Sequence, residues 1–116
     1  MTNQPIIQVL ASATFKRNLR TLAKKYRSIR DDIQPMMEQL EQGELPGDKI
    51  PSIGYTVFKL RVRNSDIQKG KSGGYRLIYY VKTATAIILL TIYTKSEQVD
   101  MAVKDIQSII TDYEQQ

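Results

Sequence analysis

Two periods of apolar and polar positions organise the chain. Phe15, Leu19, Leu22 and Tyr26 fall on one stripe of an amphipathic helix, and a second stripe follows at Ile29, Ile33, Met36/Met37 and Leu40. Ser28 is placed to cap the second helix, with Asp31 and Asp32 in its first turn, where the helix dipole favours carboxylates. Pro35 removes a backbone donor, so a bend or a restarted helix is expected there. Gly43 ends the element, and Glu44–Gly54, with two prolines and two glycines, reads as a loop. The period then switches to two. In Thr56–Arg63, Phe58, Leu60 and Val62 face one way, while Lys59, Arg61 and Arg63 face the other, as in a half-buried strand.

The short run Ile6–Leu10 predicts a first strand, closed by the small polar run Ala11–Thr14. Asn64–Gly74 is polar, glycine-rich and suited to a long hairpin loop. Tyr75–Lys82 and Ile87–Tyr93 are β-rich runs joined by a turn around Thr83–Thr85. The second is apolar on both faces, as a central covered strand should be. Val99, Val103, Ile106, Ile110 and Tyr113 form a last helical stripe, with Ser96 or Asp100 as its cap. The expected order is β-α-α-β-β-β-α: an α+β domain spanning residues 1–116. An N-terminal strand and a helical hairpin pack on an antiparallel sheet of about four strands, followed by a C-terminal helix.

Composition narrows the chemistry. The 116 residues include no cysteine and no histidine, which excludes disulfides, zinc sites of the usual donors, Ser-His-Asp triads and Cys-His dyads. Acid–base work must fall to Lys, Tyr, Asp or Glu, with no metal and no cofactor expected. No run approaches the roughly 20 apolar residues that span a bilayer, and the N-terminus does not read as a signal peptide. A cytoplasmic address with no membrane partner is the expectation.

The net charge of +5 conceals a segregated pattern. Lys16–Arg30 carries seven basic residues and no acid, Asp31–Val57 a net −5, Phe58–Lys82 a net +6, and Thr83–Gln116 a net −3. Such alternation creates local positive fields whose natural partners are polyanions. The first basic segment is accounted for by the solvated face of a helix. The second is not so easily explained. Lys59, Arg61 and Arg63 form an unbroken cationic row about 6–7 Å apart along one strand face. Arg76 lies early enough in the next strand to come beside the row, and Lys69 and Lys71 extend it into the loop. Contact with a phosphodiester backbone would compensate the repulsion. A ribonuclease without histidine can use the substrate's own 2′-hydroxyl as nucleophile, given a base, cations on the phosphate and an acid. Lys59 between arginines is a conceivable base, because neighbouring like charge disfavours its protonated form. Arginine supplies bidentate phosphate contacts. Tyr79, Tyr80 and Tyr93 could stack on bases, although strand tyrosines more commonly pack.

Three blocks carry a resemblance: Phe58–Arg63, the run Gly73-Gly74-Tyr75-Arg76-Leu77-Ile78-Tyr79-Tyr80, and Leu89–Glu97 with its Ile92-Tyr93-Thr94-Lys95 core. Together, and with the order of elements, they make the chain resemble the RelE toxins of bacterial type II toxin–antitoxin systems, within the RelE/ParE superfamily. Among them it looks closest to the HigB-like branch with a long Gly/Lys-rich hairpin loop. The resemblance implies a RelE-like microbial ribonuclease-type fold and an mRNA interferase, a hydrolase that enters the ribosomal A site and cuts mRNA. It implies a cognate antitoxin as partner, covering the basic groove or displacing a helix, besides ribosome, mRNA and rRNA. Residue by residue, Lys59 matches the family's first catalytic lysine and Arg61 the second basic position of that strand. Arg63 is the third, Arg76 the arginine of the Gly-Tyr-Arg block, and Lys95 the basic residue after the last strand. The resemblance thus implies Lys59, Arg61, Arg76 and Lys95 as catalytic residues; it leaves the acid open, with Lys95 the candidate by elimination. Arg63, Lys69, Lys71, Tyr80 and Tyr93 are expected to bind RNA. The family's further arginine is replaced by Ser96, and its late tyrosine falls near Met101 or Ala102. Two other functions fit the same fold: a ParE-like gyrase-inhibiting module, and a non-cleaving protein that binds RNA or antitoxin.

Overall fold

A computed structural model describes residues 6–67, 74–96 and 100–115. Strand β1 (Gln8–Ala11) leads into a hairpin of helices, α1 (Ala13–Lys25) and α2 (Ile29–Glu41). Strands β2 (Asp48–Lys49), β3 (Val57–Val62), β4 (Tyr75–Thr83) and β5 (Ala86–Thr94) follow, and helix α3 (Val103–Glu114) closes the chain. The sheet runs β1-β5-β4-β3-β2, antiparallel except for the parallel β1–β5 pair. This is the expected α+β class, with five strands where about four were expected. The additional one is β2, two residues long, inside the stretch read as loop; it puts Asp48 opposite Lys59.

Local chemistry explains where the helices begin. Ser12 caps α1: its Oγ accepts from the Phe15 N–H at 3.0 Å and donates to the Leu90 carbonyl at 2.7 Å. One hydroxyl therefore starts the helix and pins it to the central strand. Ser28 precedes α2 as expected but makes no side-chain cap; its N–H donates to Asp66 Oδ2 at 2.8 Å instead. Asp31 and Asp32 do occupy the first turn. Helix α2 runs unbroken through Pro35, so no restart occurs. Burial of Ile29, Ile33, Met36 and Leu40 outweighs the one donor that proline removes.

The sheet has an apolar layer on each side. On one side, Phe15 and Leu22 of α1 and Ile29 and Leu40 of α2 pack with Val62, Leu77, Tyr79, Leu89 and Ile92 of the sheet, with Phe58 and Leu60 partly covered. Against α3 lie Ile53, Val57, Ile78, Tyr80, Ile88, Leu90 and Tyr93, closed by Ile106, Ile109 and Ile110. Strand β5 is buried on both faces, as its composition predicted. Helix α3 covers only part of its side of the sheet, and the uncovered part is cationic.

Helix α3 does not start at the expected cap. It begins at Val103 after Ala102, with no side-chain capping bond, and Val99 of the expected stripe lies outside the described residues. Asp100 stands in the connection before the helix, where its side chain is committed elsewhere.

Candidate functional site

Strand parity puts Lys59 and Arg61 on the α3 side of the sheet, following Val57, which is wholly buried there. The β3–β4 register pairs Arg61 with Arg76 and Lys59 with Ile78, and the β4–β5 register pairs Arg76 with Tyr93. Arg61, Arg76 and Tyr93 therefore form one cross-strand row, with Lys59 two residues along. Lys59, Arg61 and Arg76 line one cleft of about 390 Å³ with Leu60, Gly47 and Asp48. Gly47 lets the preceding loop approach this closely: its φ is +98°, and a Cβ there would meet the Lys59 carbonyl oxygen at 2.5 Å.

Arg76 is the unusual member. It is only 8% exposed, and its Nη1 donates to the Tyr75 carbonyl at 3.4 Å. Among the described residues neither Arg76 nor Arg61 has a carboxylate in ion-pair range. A buried guanidinium facing another guanidinium is costly without an anion. A phosphate diester has the charge and bidentate geometry to engage the two arginines.

Lys59 departs from the expectation that it sits among cations alone. Its Nζ donates to both oxygens of Asp100, at 3.2 and 3.4 Å. Asp100 also accepts from the Tyr93 hydroxyl at 3.4 Å and the Met101 N–H at 2.9 Å. The Lys59 hydrogen bond, foremost, holds Asp100 below the usual carboxylate range. Burial, then the Asp100 charge, pushes the Tyr93 hydroxyl up to about 12, with Arg76 opposing. Lys59 and Asp100 also line a neighbouring cleft of about 380 Å³ under the start of α3, with Ile78, Met101 and Val103. Lys59 and Asp48 line both clefts.

The remaining expected site residues separate. Arg63 is exposed just beyond β3, and Lys95 is exposed just beyond β5. Because Val62, Tyr75 and Thr94 are partners in register, both lie at the same end of the sheet, outside the Lys59–Arg61–Arg76 cleft lining. Ser96 Oγ bonds Thr94 Oγ1 at 3.3 Å. Tyr80 is not brought to the row. It is buried against Tyr55, its hydroxyl donates to Glu114 Oε1 at 3.2 Å, and it serves packing where base stacking was expected. Tyr79 is buried on the opposite side, stacked on Phe58. Tyr93 adjoins the row but is itself buried. Lys69 and Lys71 lie outside the described residues. Sequence reasoning missed Asp100 as a site residue. Its one signal was an acid just after the last strand, which also fits a helix cap.

The fold is thus an open α+β sheet carrying a cationic cleft beside its C-terminal helix. A family model described as the RelE toxin of the RelE / RelB toxin-antitoxin system matches residues 7–112, and the chain belongs to this family. Comparison with curated proteins returns no significant match. Membership makes the chain a toxin and implies a cognate antitoxin as its partner. No helix among the described residues is long and apolar enough to cross a membrane.

Proposed function

We propose that this toxin is a ribosome-dependent endoribonuclease that cuts mRNA in the cytoplasm and so inhibits translation. The observation that carries the reading is the pairing of Arg61 with buried Arg76 in one cleft with Lys59, without an ion-pair partner for either arginine among the described residues. In the proposed reaction the two guanidinium groups hold the non-bridging oxygens of the scissile phosphate. The substrate 2′-oxygen attacks phosphorus, the bond to the 5′-oxygen breaks, and a cyclic phosphate and a 5′-hydroxyl result. Cations fixed before the reaction stabilise charge as it develops, at no reorganisation cost. Lys59, tethered at the edge of the cleft, is the proton-handling group, and Lys95 at the sheet end is the candidate acid.

Gyrase inhibition by the same fold has no need of two arginines paired across neighbouring strands in one cleft. Induced expression followed by mapping of mRNA ends separates the readings. Codon-phased cuts, abolished by Lys59→Ala and by Arg76→Ala, are expected. DNA breaks with intact mRNA would overturn the nuclease reading, and growth indifferent to expression would favour a non-cleaving protein.

A further inference from the structure

We propose that Asp100 is a positioning residue at the edge of the cleft: its carboxylate holds the Lys59 ammonium and the Tyr93 hydroxyl beside the two arginines, and keeps Lys59 partly neutralised toward an entering phosphodiester. The proposal rests on reading the cleft as an RNA phosphate site. Three observations carry it. Asp100 reaches across the sheet, bonding Lys59 on β3 and Tyr93 on β5, the strands on either side of the one that bears Arg76. The carboxylate is itself held, by the Met101 N–H at 2.9 Å, so it is aimed and not merely nearby. The ion pair is solvent-accessible, with side-chain exposures of 34% for Lys59 and 59% for Asp100, and pairs of that kind add little to folding. A well-directed acid that does little for stability, held on the lysine that adjoins the two arginines, is placed for the ligand's benefit.

The consequence is a split between binding and turnover. With Asp100 in place, Lys59 is ordered but partly neutralised. Without the carboxylate, Lys59 becomes one more free cation for RNA, while its aim on the reacting oxygens is lost. Asp100→Asn keeps the size of the side chain and an acceptor for Met101 while removing the charge. The test uses the purified full-length protein with two probes: a fluorescent 2′-O-methyl oligoribonucleotide for binding, and mRNA on programmed ribosomes for kinetics. Asp100→Asn should bind the oligonucleotide several-fold tighter. The slope of log affinity against log salt should steepen by about 0.7, the contribution of one added phosphate contact on a single strand. On ribosomes its kcat should fall at least about tenfold while KM stays level or drops, the signature of lost transition-state interaction without lost binding. Glu114→Gln, which breaks a similar contact away from the cleft, should change none of these.

Unchanged affinity, salt slope and kcat in Asp100→Asn overturn the proposal. So does a loss of kcat that Glu114→Gln reproduces, or one that tracks a fall in melting temperature. Wild-type protein that binds the oligonucleotide yet cuts no mRNA overturns the nuclease reading alone, and affinity and salt slope then decide the positioning role. Wild-type protein that does neither overturns both.

Discussion

Helix α3 is fastened at its two ends by the same three kinds of group: a carboxylate, a lysine and a tyrosine. At the start, Asp100 takes the Lys59 ammonium and the Tyr93 hydroxyl; at the end, Glu114 takes the Lys82 ammonium at 2.9 Å and the Tyr80 hydroxyl at 3.2 Å. In both, the lysine hydrogen bond, foremost, lowers the carboxylate's pKa, and burial, foremost, raises that of the tyrosine. The surroundings separate them. Lys59 shares its cleft with Arg61 and Arg76, whereas Lys82 lies over the Tyr113 ring, 5.6 Å from its centroid, at the solvent edge. An acid–lysine–tyrosine contact therefore says little about function by its composition. What distinguishes the first is the pair of arginines next to it, which have no carboxylate in ion-pair range among the described residues.

The largest expected effect tests that distinction directly. Arg76→Ala should reduce cleavage of ribosome-bound mRNA by about 10²–10³-fold, the usual loss when one preorganised charge donor is removed. Lys82→Ala at the other clasp should leave the rate within a factor of about two, because no reacting oxygen is placed there; single-turnover kinetics on both variants makes the comparison.

Between the clasps, Ile110 is fully buried with Ile106 and Ile109 on the sheet. Ile110→Ala should cost about 2–5 kcal/mol in urea unfolding, from lost transfer energy and the cavity left behind. Should it cost much less, the clasps rather than the apolar face hold α3 in place.

A smaller effect lies in alkali. The folded-state pKa of Tyr93 is raised to about 12, against about 10 for an unfolded tyrosine. A raised pKa favours the protonated form in the folded state. Its contribution to stability is thus whole below about pH 10 and is lost as pH rises through about 12. Tyr93→Phe should flatten that decline in stability and delete one late step from the tyrosinate absorbance titration. Tyr80→Phe should do the same more weakly at the other end, where Glu114 and Lys82 are open to water.

The least effect belongs to Glu114→Gln. Its ion pair with Lys82 is exposed, and such pairs contribute next to nothing measurable. Its urea midpoint should match the wild type, and a clear drop would make the second clasp structural in a way the first is not.

Much of this architecture was readable from periodicity, because helical stripes and strand alternation record which face is buried. The stripe Phe15–Tyr26, the alternation around Lys59 and the doubly apolar β5 each landed in the element they implied. The failures were local and had physical causes. Strand β2 is two residues long, too short to leave a pattern, and exists because β3 offers it an edge. Tyr80 and Tyr93 looked equivalent, yet parity and register sent one under the end of α3 and the other beside Arg76.

The sequence by itself determined the main helices and the four longer strands, the absence of histidine and cysteine chemistry, and a cationic face on one strand, since those follow from residue type and spacing along one chain. Only the tertiary structure decided that Arg76 is buried opposite Arg61, that Gly47 approaches the Lys59 backbone at the cleft, and that Asp100 ties Lys59 to Tyr93. Lys59 and Asp100 are 41 positions apart, and no local period relates them. Their meeting depends on the register of three strands and the path of the chain into α3, which the packing of the whole sheet selects.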